Sequence, residues 1–227
     1  MNGRFAIIGA GSFGSSLARH LSSAGAEVTL MDLDRERIEA LKDAVEVALI
    51  MDCTDGAAMK AQELDEMDAV IIALGDDFGE TVLILALLQE LGVKHIHVRV
   101  SSERERAIVT KLGAEGAVFP AERAGRSFAR SLLLGLGGRL DTVPVGNGHC
   151  LVQLAVPKDF VGSTIESVQL RELHNLHLVT VLTTAEGKED PQCCGIPKST
   201  RTFNQGERMI LFGQENAISA FVRKFGA

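Results

Sequence analysis

Tryptophan and tyrosine are both absent, leaving ten phenylalanines in 227 residues. Without them there is no platform for stacking nucleic-acid bases. A formal charge of −7 and the lack of any Lys/Arg cluster argue in the same direction, so no nucleic-acid partner is expected. Long apolar runs are missing too. The stretch Thr81–Leu88 falls far below the ~20 residues a membrane-spanning helix requires. The N-terminus enters a strand-like segment almost at once, so no signal peptide is expected and the chain reads as soluble and cytoplasmic. Cysteine is sparse, at positions 53, 150, 193 and 194, with no C-x-x-C pair. Cys193-Cys194, set between Pro191 and Gly195, reads as a reduced loop pair of a cytosolic protein rather than a redox or metal handle.

Catalytic signatures are missing as well. There is no H-E-x-x-H, G-x-S-x-G or Walker pattern. His95 and His97, two apart in a strand, share one face and read as core or interface residues. His174 and His177 stand three apart near a short helix end, a spacing compatible with a metal, but no third ligand accompanies them. Neither a metal site nor a catalytic group is expected.

What is present begins at the first strand. Arg4-Phe5-Ala6-Ile7-Ile8 runs into Gly9-Ala10-Gly11-Ser12-Phe13-Gly14. Gly9 permits the tight turn, Gly11 lets a phosphate approach the backbone, and Gly14 lets the following helix pack closely on the sheet. The helix opening at Ser12 aims its unpaired N–H groups and positive dipole end at that phosphate. Asp32 ends the second strand, Glu27–Asp32, where its carboxylate can accept from ribose hydroxyls. It is expected to be exposed and outside the core.

Strand and helix patterns then alternate to about residue 120. Strands are expected at Phe5–Ile8, Glu27–Asp32, Val47–Met51, Ala69–Leu74, His95–Val100 and Ala117–Phe119. Between them lie helical patterns at Ser12–Ala24, Arg35–Lys42, Gly56–Leu64, Asp77–Leu91 and Glu103–Leu112, several ending at a glycine. This is the pattern of an α/β, Rossmann-like doubly wound parallel sheet, whose ligand crevice lies at the carboxyl edge of the strands. Asp52 and Thr54 reach that edge and can meet base or ribose, or else Thr54 or Asp55 caps the next helix. Gly75 lets a ligand pass close, whereas Asp76 or Asp77 caps a helix. Arg99 is a cation for a terminal phosphate or a partner in a surface salt bridge.

A helical run from Ala121 to Leu134 follows Pro120, with an apolar stripe of Ala124, Phe128 and Leu132. Gly135, Gly137 and Gly138 then read as a hinge, with no strand expected directly after it. The domains are therefore 1–120 (nucleotide binding), 121–140 (crossover helix and hinge) and 141–227 (a small α+β lobe). In the lobe, strands are expected at His149–Val156, Leu178–Thr183 and Arg208–Phe212, and helices at Thr164–Leu173 and Glu215–Lys224.

Ile7–Gly14, Met31–Asp34, Asp52–Thr54, Val70–Gly75, Val98–Val100 and Leu112–Pro120, in this order, resemble the RCK family, regulators of K⁺ conductance. Within it the resemblance is to single-RCK gating subunits of Ktr/Trk-type potassium uptake. Gly162–Ile165, Leu170-Arg171 and Gly206–Gly213 resemble its C-terminal lobe. The resemblance implies a cytoplasmic ring, commonly an octamer built from dimers, on an integral-membrane K⁺-translocating subunit and gated by ATP, ADP or NAD(H). It implies a cofactor site of Gly9, Gly11, Ser12, Phe13, Gly14, Asp32, Leu33, Asp52, Cys53, Thr54, Ala73, Leu74, Gly75 and Arg99. Ser12 departs from the arginine of many ATP-responsive relatives, which makes a dinucleotide a stronger candidate. Ala121 stands where relatives place a glutamate after the proline, which weakens the case for a divalent cation at the dimer interface. The alternatives are an NAD-dependent oxidoreductase of a small substrate and a regulator of another cation transporter or antiporter.

Overall fold

Short apolar runs such as Ala69-Val-Ile-Ile72, buried at every position, can only be strands covered on both faces. The computed structural model describes residues 3–75, 77–137, 142–183 and 191–226. The chain divides into two compact units, Met1–Glu122 and Arg123–Ala227.

The first unit places strands β1 (Arg4–Ile8), β2 (Glu27–Asp32), β3 (Val47–Ile50), β4 (Ala69–Ile72), β5 (Ile96–Arg99) and β6 (Gly116–Val118) in one parallel sheet, ordered β3-β2-β1-β4-β5-β6. Alternation along β1 feeds two cores. Ala6 and Ile8 join Ile84, Leu85 and Leu88 of α4 (Phe78–Glu90) and Val109 of α5 (Glu103–Lys111). Ile7 joins Ala18 of α1 (Ser12–Ser23) and Ile38 of α2 (Arg35–Glu39) on the opposite face. Strand order reverses between β1 and β4, which opens a crevice at their carboxyl ends. Gly25, Gly92 and Gly113 follow their helices at positive φ, as C-terminal caps require. Two helices are shorter than the sequence pattern suggests. α2 stops at Glu39, and α3 (Gly56–Lys60) ends before Leu64, which begins a separate 3₁₀ turn at Leu64–Glu66 set off by Glu63 at a left-handed φ of 50°.

The second unit is built on an antiparallel sheet ordered β10-β9-β11-β8-β7, from β7 (Thr142–Gly146), β8 (His149–Ala155), β9 (Leu176–Thr183), β10 (Gln192–Cys193) and β11 (Arg208–Gln214). Ile218, Phe221 and Val222 of α8 (Glu215–Phe225) are buried in its core, and Phe160 lies beside Phe203, Phe221 and Phe225. β7 corrects the expectation that no strand follows the crossover helix closely. It is an edge strand with Val143 and Val145 exposed around Pro144, so it lacks the alternating burial that marks a strand. The segment read as a helix over Thr164–Leu173 is helical only at α7 (Leu170–His174), because Gln169 sits at φ 47°.

The crossover helix α6 runs Pro120–Leu133, and Gly135 and Gly137 follow at positive φ. Gly138 lies outside the described residues. Phe128, Leu132 and Leu133 are exposed on α6. Among the described residues no helix is long and apolar enough to cross a membrane.

Candidate nucleotide cleft

Four of the first unit's helices start in the same way. Asp34 caps α2, Asp55 caps α3, Asp77 caps α4 and Ser102 caps α5, each accepting backbone N–H groups of the first turn. α1 differs. It begins at Gly11 with no side-chain cap and no acid in its first turn, so its N-terminal donors and dipole are left for another acceptor. Gly14 makes this approach possible, since a Cβ there would drive into the carbonyl of Gly9.

A cavity of about 440 Å³ opens in front of this helix end, at the point where strand order reverses. Of the residues predicted from sequence, Gly9, Gly11, Ser12, Asp32, Leu33, Asp52, Cys53, Ala73, Leu74, Gly75 and Arg99 line it. Phe13, Gly14 and Thr54 do not. Phe13 packs into the α1-side core, and Thr54 turns back to Asp52, donating from its N (2.8 Å) and Oγ1 (2.6 Å) to Oδ1. Asp55 and Asp77 are the caps, and Asp76 lies outside the described residues.

Asp32 is not the exposed carboxylate the sequence suggests. It is only 9% exposed. Its Oδ2 accepts the Ala10 N–H at 2.6 Å and its Oδ1 accepts the Asp34 N–H at 2.8 Å, so it ties the glycine loop to the end of β2. Arg37 lies 3.7 Å from Asp32 and 3.2 Å from Asp34. On the far wall the Arg99 guanidinium lies directly over Gly75, and a Cβ at 75 would come within 2.9 Å of its Cζ. Among the described residues no carboxylate pairs with Arg99.

Arg37, Met51 and Glu80 also line the cavity and were missed by sequence reasoning, and Asp77, read from the sequence as a helix cap alone, lines it too. Arg37 and Glu80 sit inside helices, where a charged residue reads as solvated surface, so their only signal was closeness to strand ends. Asp32, Asp52, Asp77 and Glu80 make the cleft locally acidic. Burial, then the carboxylates of Asp77, Asp52 and Asp32, raises the Glu80 pKa. Burial likewise pushes the Cys53 thiol up to about 12, with Asp52, Asp32 and Glu80 adding to the shift. Hydrogen bonds from Thr54 lower the Asp52 pKa.

The histidines do not converge. His95 is exposed ahead of β5 with Nδ1 2.6 Å from Glu115 Oε2, while His97 is half-buried, so of the core-or-interface reading the core half does not hold for His95. His174 sits edge-on to Phe221 and Phe225, and His177 lies 2.9 Å from Arg171 Nη2.

Residues 5–120 match the model of the TrkA-N domain family. The Ktr system potassium uptake protein C of Bacillus subtilis is 27% identical over 224 residues, 99% of this chain and 98% of that protein. Among solved structures, the GsuK RCK domain aligns over 99% of this chain and 46% of its own, with TM-score 0.55 and 20% identity. The GsuK channel bound to NAD aligns over 99% and 39%, also with TM-score 0.55, at 19% identity.

Proposed function

This chain belongs to the TrkA-N domain family, and from that premise we propose that it is a nucleotide-sensing regulatory subunit of a membrane potassium transporter. The observation that carries the reading is the uncapped α1 facing a cleft whose loop and acid suit a nucleotide. Similarity to a potassium uptake protein along nearly its whole length supplies the physiological setting.

In this reading Gly9, Gly11 and the α1 N-terminus hold phosphate, and Arg99 approaches it from the opposite wall. Asp32 accepts from ribose with the lone pairs its backbone bonds leave free, while Leu33, Asp52 and Cys53 border the adenosine end. ATP, ADP and NAD(H) all present these parts. Ser12 and the NAD bound by the GsuK channel favour the dinucleotide. Binding shifts a ring between conformations of different affinity, so no turnover is required. The exposed Phe128, Leu132 and Leu133 are the contact between two crossover helices in that ring. The ring acts from the cytoplasm on an integral-membrane partner. Among the described residues the cavity lining includes no histidine, lysine or tyrosine, the usual proton donors of an oxidoreductase.

Thermal unfolding with ATP, ADP, AMP, NAD⁺ and NADH, read beside the mass in solution, tests this. A ligand specific for the folded state at 100 times its Kd stabilises by about 2.7 kcal/mol and raises the melting point. A shift with ATP, ADP, NAD⁺ or NADH in a multi-subunit species supports the reading. No shift with any of them removes it.

A further inference from the structure

Cys193 and Cys194 belong to neither the cleft nor the core. Both thiols are exposed on and just beyond β10, an edge strand of the second unit's sheet among the described residues. Each has its own donors. The Cys193 Sγ lies 3.3 Å from the buried Thr180 Oγ1 and accepts the Gly195 N–H at 3.4 Å. Thr180 donates to the Gly195 carbonyl at 2.6 Å while Cys193 is a thiol, and its hydroxyl can turn to the sulfur once the proton leaves. Cys194 receives an N–H of Arg201 at 3.7 Å. That guanidinium is held in place by the buried Glu207, at 2.6 and 3.1 Å. Hydroxyl, amide and guanidinium are the groups that stabilise thiolates, and the lowered pKa of Cys193 follows from the first two.

We propose that Cys193 and Cys194 form a redox-active dithiol that low-molecular-weight disulfides oxidise to an intrachain bond. The Cys193 thiolate attacks one sulfur of the disulfide, forms the mixed S–S bond and expels one thiolate. Cys194 then attacks the Cys193 sulfur, losing its proton to solvent, closes the Cys193–Cys194 bond and expels the second thiolate. The protein gives up two electrons and two protons, and the small disulfide becomes two thiols. Consecutive Cα atoms stand ~3.8 Å apart, short of the ~4.4–6.8 Å that disulfides usually span, so the bond is strained and readily reduced. Its place fits a switch. Closure bends the peptide whose Cys194 N–H bonds the Val181 carbonyl at 3.0 Å, and it pulls on Ile196 and Pro197, which line a separate cavity of about 830 Å³.

Two reagents test this on the full chain. Glutathione disulfide at neutral pH should remove two hydrogens from the peptide carrying Cys193 and Cys194, leaving Cys53 and Cys150 as thiols. In Cys194→Ser it should instead leave glutathione on Cys193. Phenylarsine oxide, which bridges two thiols, should bind once per chain and lose that binding in Cys193→Ser and in Cys194→Ser. A glutathione adduct that persists on the wild type, or arsenical binding that survives both serine variants, overturns the proposal. So does failure of the wild type to react at all.

Discussion

Asp32 does two things at once. It is buried, and it bonds the Ala10 and Asp34 amides. Asp32→Ala should therefore cost roughly 1–3 kcal/mol of stability through those two stranded donors, as well as weakening nucleotide binding. Chemical denaturation beside titration calorimetry reads both effects, and a variant with wild-type stability would refute the tie. Gly75 poses the opposite case. Gly75→Ala pushes only the flexible end of Arg99, so folding should be nearly unchanged while phosphate affinity falls by about tenfold, the ~1.4 kcal/mol of one charge-assisted bond. Adding Arg99→Ala to it should produce no further loss. Glu207 sets an acid limit. Burial opposes its charge, but bonds from Arg201 and Asn204 outweigh burial and lower its pKa. A depressed folded pKa means stability that is present above the unfolded value and lost as pH falls through the folded one. The second unit should unfold more easily below about pH 4.5, and Glu207→Gln should flatten that dependence in acid unfolding curves. Asp32's place in the cleft was legible from its spacing to Gly14. Its burial was not, because no sequence pattern reports a carboxylate turned back onto its own loop.

The elements of the first unit were legible where periodicity was strong. Six strands and the α1 and α5 helices stand close to their expected bounds because apolar runs and C-terminal glycines both mark them. Failures came where single residues override pattern, as with the left-handed Glu63 and Gln169 inside expected helices. β7 and β10 were hidden for another reason. Both are edge strands, and burying little leaves little alternation to read. The α6 stripe carries its own prediction. Leu132 is 54% exposed beside Phe128 and Leu133, so Leu132→Asp should halve or further reduce the mass seen by light scattering without changing the circular dichroism of the chain. An unchanged mass would exclude α6 as the contact.

For the molecule as a whole, the sequence disclosed the fold class and family, and the sheet order bears out the first while the TrkA-N match over residues 5–120 bears out the second. Asp32 and Asp52 were read into the cleft from the sequence, but their meeting with Asp77 and Glu80 was not, since the four gather from β2, the segment after β3, and the start of α4. The glycine loop's attachment to Asp32 has a kinetic corollary. A loop held in shape before any ligand arrives has little ordering left to undergo. The binding step itself should therefore have a rate that rises linearly with nucleotide concentration and does not level off, any slower phase belonging to the change of the ring. If the protein signals its ligand, the moving parts lie beyond this loop, and the loop is the fixed anvil against which they close.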